Sequence, residues 1–195
     1  MKYIKNLINY ACFYLGYINI KWIWLSLLIG IIIFFVLIIF KKKYKIKWHR
    51  IFAISMLMSY GVLIVSFTLL NRKMGESYQY KFIPFWSYIE YVKYGNKALI
   101  RENLHNVYMF LPFGAILPVI ISNKRLKKVI VICGLSSVIV ELIQLFFKLG
   151  LFEFDDIFHN TCGAIIGYCV YLIASCILKE VKEIYKKYVG LVRKE

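Results

Sequence analysis

The chain is expected to be all-α: a polytopic transmembrane helix bundle with about five spans and an N-terminal interfacial helix. Two observations predict this. Of the 195 residues, 61% are apolar and only 18% are charged, with a mean hydropathy of +0.67, whereas a soluble domain carries roughly a quarter charged residues. The apolar residues also come in blocks of about 20, the length a helix needs to cross a hydrocarbon core of about 30 Å. Lipid offers no water to an open sheet edge, so such blocks must be helical. The same composition excludes an ordinary soluble enzyme, a disordered tail and a disulfide-stapled secreted module.

The elements follow in order. Tyr3 to Asn19 is apolar but short, and Lys5, Asn6, Asn9 and Gly16 interrupt it. It is expected to lie in the interface rather than cross, and it lacks the small-residue cleavage site of a secretory signal. Span one is Trp22 to Phe40, broken only by Ser26 and Gly30; span two, Ile51 to Leu70, has no charge. Span three, Leu104 to Ser122, contains His105, Asn106, Pro112 and Pro118. Span four, Val129 to Phe147, contains Glu141 as its one charged residue, and span five, Ile157 to Leu178, contains no Asp, Glu, Lys or Arg. Three units result: residues 1–50 (interfacial segment, first span and basic loop), 51–178 (a four-helix membrane domain) and 179–195 (a basic tail).

Basic residues set the orientation. Sixteen of the 26 Lys and Arg fall on one side: the run from Lys41 to Arg50, the short turn from Lys124 to Lys128, and the tail from Lys179. That side, with the C-terminus, is expected to be cytoplasmic in a cell membrane. The loop Asn71 to Asn103 and the turn Lys148 to Asp156 then face outward. A sixth span would move only the N-terminus inside. The net charge of +16 is assigned to anionic lipid headgroups rather than to nucleic acid.

Polar groups within the spans need a reason to be there, since a charge at mid-membrane costs at least about 2.5 kcal/mol. Glu141 and Gln144 are i, i+3 and share a helix face. Asp155 and Asp156, the chain's two aspartates, stand in or just before the first turn of span five, where negative charge is favoured and one of them can cap. Asp155 and His159 are i, i+4, as are Asp156 and Asn160. Asp156, Asn160, Gly163 and Gly167 share a face whose G-x-x-x-G permits close helix approach. Asn106, Glu141, Gln144, Asp155, Asp156, His159 and Asn160 are therefore expected to form a polar pocket near the outer face. Gly163, Gly167, Pro112 and Gly114 are expected to serve helix packing. Arg101 is expected to be the counter-ion of the aspartates. Asp155, Asp156 and His159 could ligate a metal, but no zinc motif is present and neither metal nor cofactor is expected. Cys133, Cys162, Cys169 and Cys176 are expected to pack as small apolar residues. Ser136 and Ser137 lack a neighbouring His that would make a nucleophile. The aromatic loop Tyr78 to Tyr94 is expected to lie along the membrane surface.

Four motifs stand in a recognisable order: I-P-F-W-S-Y at Ile83 to Tyr88, N-V-Y-M-F-L-P-F-G-A-I-L-P at Asn106 to Pro118, E-L-I-Q at Glu141 to Gln144, and F-E-F-D-D-I-F-H-N-T-C-G-A-I-I-G-Y at Phe152 to Tyr168. Together they resemble the VanZ-like family of bacterial integral membrane proteins, over roughly Phe82 to Leu172, with span two as leading helix and span one outside the pattern. The family's namesake is linked to reduced susceptibility to the lipoglycopeptide teicoplanin. The resemblance implies motif positions at Pro84, Phe85, Asn106, Pro112, Phe113, Gly114, Glu141, Gln144, Asp155, Asp156, Asn160, Gly163 and Gly167, and brings no catalytic assignment.

Three functions are consistent with these residues. The first is binding of a lipid-linked or amphiphilic molecule, such as a lipoglycopeptide, near the outer leaflet. The second is intramembrane chemistry on a lipid headgroup using Glu141, Asp155 and Asp156. The third is assembly without chemistry.

Overall fold

The computed structural model describes residues 20–121 and 125–192; the Tyr3 to Asn19 segment, Lys124, Arg193 and Lys194 lie outside them. Six α-helices and two short strands make up the described chain: α1 (Ile20–Tyr44), α2 (Trp48–Val65), β1 (Gln79–Lys81), α3 (Trp86–Tyr94), α4 (Lys97–Ile120), α5 (Leu126–Phe146), β2 (Leu151–Glu153) and α6 (Phe154–Val192). Five helices are long and apolar enough to cross a membrane: Ile20–Tyr44, Trp48–Leu70, Lys97–Ile120, Leu126–Phe146 and Phe154–Val189. The expected all-α membrane bundle with five spans is therefore what the chain forms.

Helix boundaries differ from expectation at two places. α4 starts at Lys97, seven residues before Leu104, because the Asn96 side chain accepts from the Ala98 backbone N–H at 3.1 Å and caps the helix there. α6 runs 39 residues without a break, about 58 Å at 1.5 Å per residue. Its last turns therefore extend well past the bundle as an exposed basic helix, where Lys186 pairs with Glu183 at 2.9 Å. Two prolines lie inside α4. One turn before Pro112, whose ring removes a backbone donor, Tyr60 Oη donates to Met109 O at 3.0 Å.

The bundle is held by close approach rather than by large side chains, as packing in lipid demands. α4 and α6 make its most extensive helix pair. A Cβ on Gly163 would collide with the Val107 backbone, one on Gly167 with Leu111 O and Ala115 N, and one on Gly114 with the Ala164 backbone. Both glycines of the G-x-x-x-G are thus covered by α4 of the same chain. Phe110, Leu117, Val129, Cys133 and Ala164 form the apolar core beneath. Among the described residues, α1 packs chiefly along α2, with Ser26 and Gly30 as its buried residues. A Cβ at Gly30 would meet Ser59 Cβ at 3.0 Å. Of the cysteines expected to pack, Cys133 is buried, whereas Cys169 and Cys176 face outward.

One end of the bundle carries nearly all the irregular structure. β1 and β2 pair in parallel, Gln79 with Leu151, Tyr80 with Phe152 and Lys81 with Glu153; both lie in short aromatic/polar alternations, Y-Q-Y-K-F and F-E-F-D, too brief to announce a strand beside the long apolar blocks. Gly75 N–H donates to Lys148 O at 2.7 Å and Lys148 Nζ to Glu76 O at 3.0 Å. Trp22 Nε1 donates to Asn71 Oδ1 at 2.9 Å. These bonds gather the starts of α1 and α6 and the ends of α2 and α5 beneath one small cap.

Candidate functional site

Below that cap lies a cavity of about 240 Å³, lined by α2, α4, α5, β2 and α6. Its polar wall is built from Thr68, Arg72, Glu102, His105, Asn106, Glu141, Gln144, Glu153, Asp156 and Asn160. Each helix contributes for a local reason. α5 presents Glu141 and Gln144 on one face, and α6 presents Asp156 and Asn160 one turn apart. α2 ends in a π-helical turn at Ser66–Leu70, a geometry that leaves backbone groups for other partners. Gln144 Nε2 uses one of them, donating to Thr68 O at 3.2 Å.

Glu141 is 2% exposed and its Oε2 accepts the Glu153 backbone N–H at 3.0 Å. This bond joins α5 to the turn before α6, so the E-L-I-Q motif and the first residues of F-E-F-D-D meet through it. Asn160 Nδ2 donates to Ser137 Oγ at 2.8 Å, which gives Ser137 a positioning role. Among the described residues, Gln144 Oε1 and Asn160 Oδ1 are buried without a hydrogen-bond partner. Both residues line the cavity. Buried acceptors left unmade are uncommon and costly.

The adjacent aspartates part company. Asp156 lines the cavity; Asp155, fully buried, turns toward the cap. Its Oδ1 accepts from Phe85 N–H and its Oδ2 from Ser87 N–H at 3.0 Å and from Ser87 Oγ. Asn103 Nδ2 in turn donates to Ser87 Oγ at 3.0 Å. Phe85, in the left-handed region at φ 60°, stands at the N-cap of α3 without a capping side chain of its own. Asp155 caps α3 from another element, which is the anion position a helix N-terminus favours. His159 joins the same cluster: its Nδ1 donates to Asp155 O and its Nε2 accepts from Tyr88 Oη at 2.8 Å. The carbonyl can only accept, so it fixes the tautomer. Phe85 and Phe158 close this cluster edge to face, with ring centroids 5.1 Å apart.

The expected polar group therefore divides. Asn106, Glu141, Gln144, Asp156 and Asn160 share the cavity, whereas Asp155 and His159 fasten α3 over it. The basic residue at the cavity is Arg72 rather than Arg101, which is exposed. The Arg72 guanidinium occupies the space a Cβ on Gly150 would need, and its charge acts on both Glu141 and Asp156. Arg72, Thr68, Glu102 and Ser137 carry no motif that would single them out; Glu153 stands inside F-E-F-D-D, where the paired aspartates are the stronger signal. Burial pushes the Glu153 carboxyl up to about 7, and the nearby Asp156 charge adds to this, against the donation from Trp86 Nε1 at 3.2 Å. Among the described residues, no group of three or more His, Cys, Asp or Glu is placed to hold a metal ion.

A family model described as VanZ/LLP1 matches residues 31–175. The match begins midway along α1, so half of α1 and all of α2 fall inside the pattern, farther upstream than the four motifs reach. No curated protein and no solved structure matches the chain.

Proposed function

Since the chain belongs to the VanZ/LLP1 family, we propose that this multi-pass membrane protein binds the polar head of a membrane amphiphile in the cavity beneath the cap. In this reading it alters glycopeptide access at the cell envelope, and so would account for the glycopeptide resistance with which the family is linked in general. The observation that carries the proposal is the cavity itself: Glu141, Gln144, Asp156 and Asn160, drawn from the ends of two helices long and apolar enough to cross a membrane, line one space. Its volume of about 240 Å³ is below the roughly 300–1,000 Å³ of sites that engulf a drug-sized ligand. It therefore suits a headgroup whose acyl chains stay in the bilayer, rather than a whole lipoglycopeptide. The basic residues favour a cytoplasmic tail and an outward-facing cap, so the headgroup would come from the outer leaflet.

The test is teicoplanin susceptibility of cells expressing wild type, Asp156→Asn or Glu141→Gln, with membrane insertion checked by fractionation. Wild-type protein is expected to lower susceptibility, and each variant to insert yet lose most of that effect. Both variants protecting as well as wild type would overturn the proposal.

A further inference from the structure

We propose that the cavity is a primary-ammonium site: it takes the protonated amine of a phosphoethanolamine-type headgroup, with Arg72 meeting the phosphate. The inference rests on the headgroup reading above and specifies its chemistry. Gln144 and Asn160 are 2% and 3% exposed, and each amide nitrogen already donates within the protein, to Thr68 O and Ser137 Oγ. Thr68 O can only accept, so the Gln144 amide cannot be turned round. What remains is Gln144 Oε1 and Asn160 Oδ1, two buried oxygens without a partner.

Charge points the same way. Glu141, Glu153 and Asp156, with Glu102 at the exposed rim, line the cavity against the single guanidinium of Arg72. Water would satisfy the oxygens but would leave these buried acids to hold their protons, whereas a cation among them lets them ionise. A primary ammonium supplies three N–H donors on a compact cation, enough for both amide oxygens and one carboxylate. A trimethylammonium has the charge but no donor. Arg72, held over Gly150 at the exposed edge, is placed for the anionic neighbour of such an amine, which guanidinium binds well.

The full chain in nanodiscs of equal parts phosphatidylethanolamine, phosphatidylcholine and phosphatidylglycerol, extracted and examined by native mass spectrometry, provides the test. The expected result is retention of phosphatidylethanolamine over phosphatidylcholine by about tenfold, the worth of one charge-assisted hydrogen bond. Free O-phosphoethanolamine is expected to displace the retained lipid and O-phosphocholine is not. The preference should fall in Gln144→Leu and in Glu141→Gln; should either variant misfold, the wild-type discrimination alone decides. Equal retention of the two zwitterionic lipids, or equal displacement by both free headgroups, overturns the ammonium assignment while leaving headgroup binding in place. Absence of any retained lipid sensitive to Glu141→Gln overturns both.

Discussion

Alanine at Gly114, Gly163 or Gly167 is expected to destabilise the bundle severely, although it adds a single methyl group. At each position the added Cβ meets backbone, that of Ala164, Val107 or Leu111 and Ala115, not the movable end of a side chain. Backbone can yield only if α4 and α6 separate along their whole contact. Overpacking usually costs about 1–3 kcal/mol and more where nothing can move, so each variant should lose about 3 kcal/mol or more. That is a large part of the roughly 5–15 kcal/mol that holds a typical protein folded. Gly61 is the control. It lies within α2 and a Cβ there would meet nothing within 4 Å, so Gly61→Ala should be neutral or stabilising by up to about 1 kcal/mol. Yield of monodisperse protein in detergent and its unfolding midpoint check both. A Gly163→Ala variant as stable as wild type would mean that α4 and α6 do not approach as described.

Asp155→Ala is expected to release α3 from the bundle while the five spans stay folded. The carboxylate holds the N–H groups of Phe85 and Ser87 and the Ser87 hydroxyl. Hydrogen bonds to a charged group contribute about 1.5–3 kcal/mol each, and orphaned buried N–H groups add a further penalty. Because the three bonds act as one unit, a combined loss of about 3 kcal/mol is a restrained figure. At 1.4 kcal/mol per factor of ten, the amides of Phe85 and Ser87 should exchange about a hundredfold faster with deuterium. Asp156→Ala should leave those amides protected. Equal protection in the two variants would contradict the division of labour between the aspartates.

Much of this was legible in the residues, and the gaps have physical causes. Blocks of apolar residues give the spans, since few other structures survive in lipid, and the small-residue spacing of Gly163 and Gly167 marks the tight seam. Hydropathy places the start of α4 too late because Lys97, Arg101 and Glu102 end the apolar signal, whereas a helix needs only a cap, which Asn96 supplies. Asp155 and Asp156 were grouped because they are adjacent. Successive positions on a helix point about 100° apart, so neighbours face different elements, and only the fold decides which. Arg72 and the Thr68 carbonyl were invisible for a related reason: one is an ordinary loop cation and the other a backbone atom, and each acquires its role from the π-helical turn and the strand pair that fold above α5.

The central claim is that the cavity receives a membrane amphiphile. A photoactivatable amino acid placed at Met109, which lines the cavity without contributing charge to it, tests this most directly when irradiated in intact membranes. The account predicts a lipid adduct at Met109 that disappears when Glu141→Gln is added, while an adduct at Val131, on the outward face of α5 and 48% exposed, is unchanged. An adduct at Met109 that is absent, or that persists undiminished in Glu141→Gln, would contradict it.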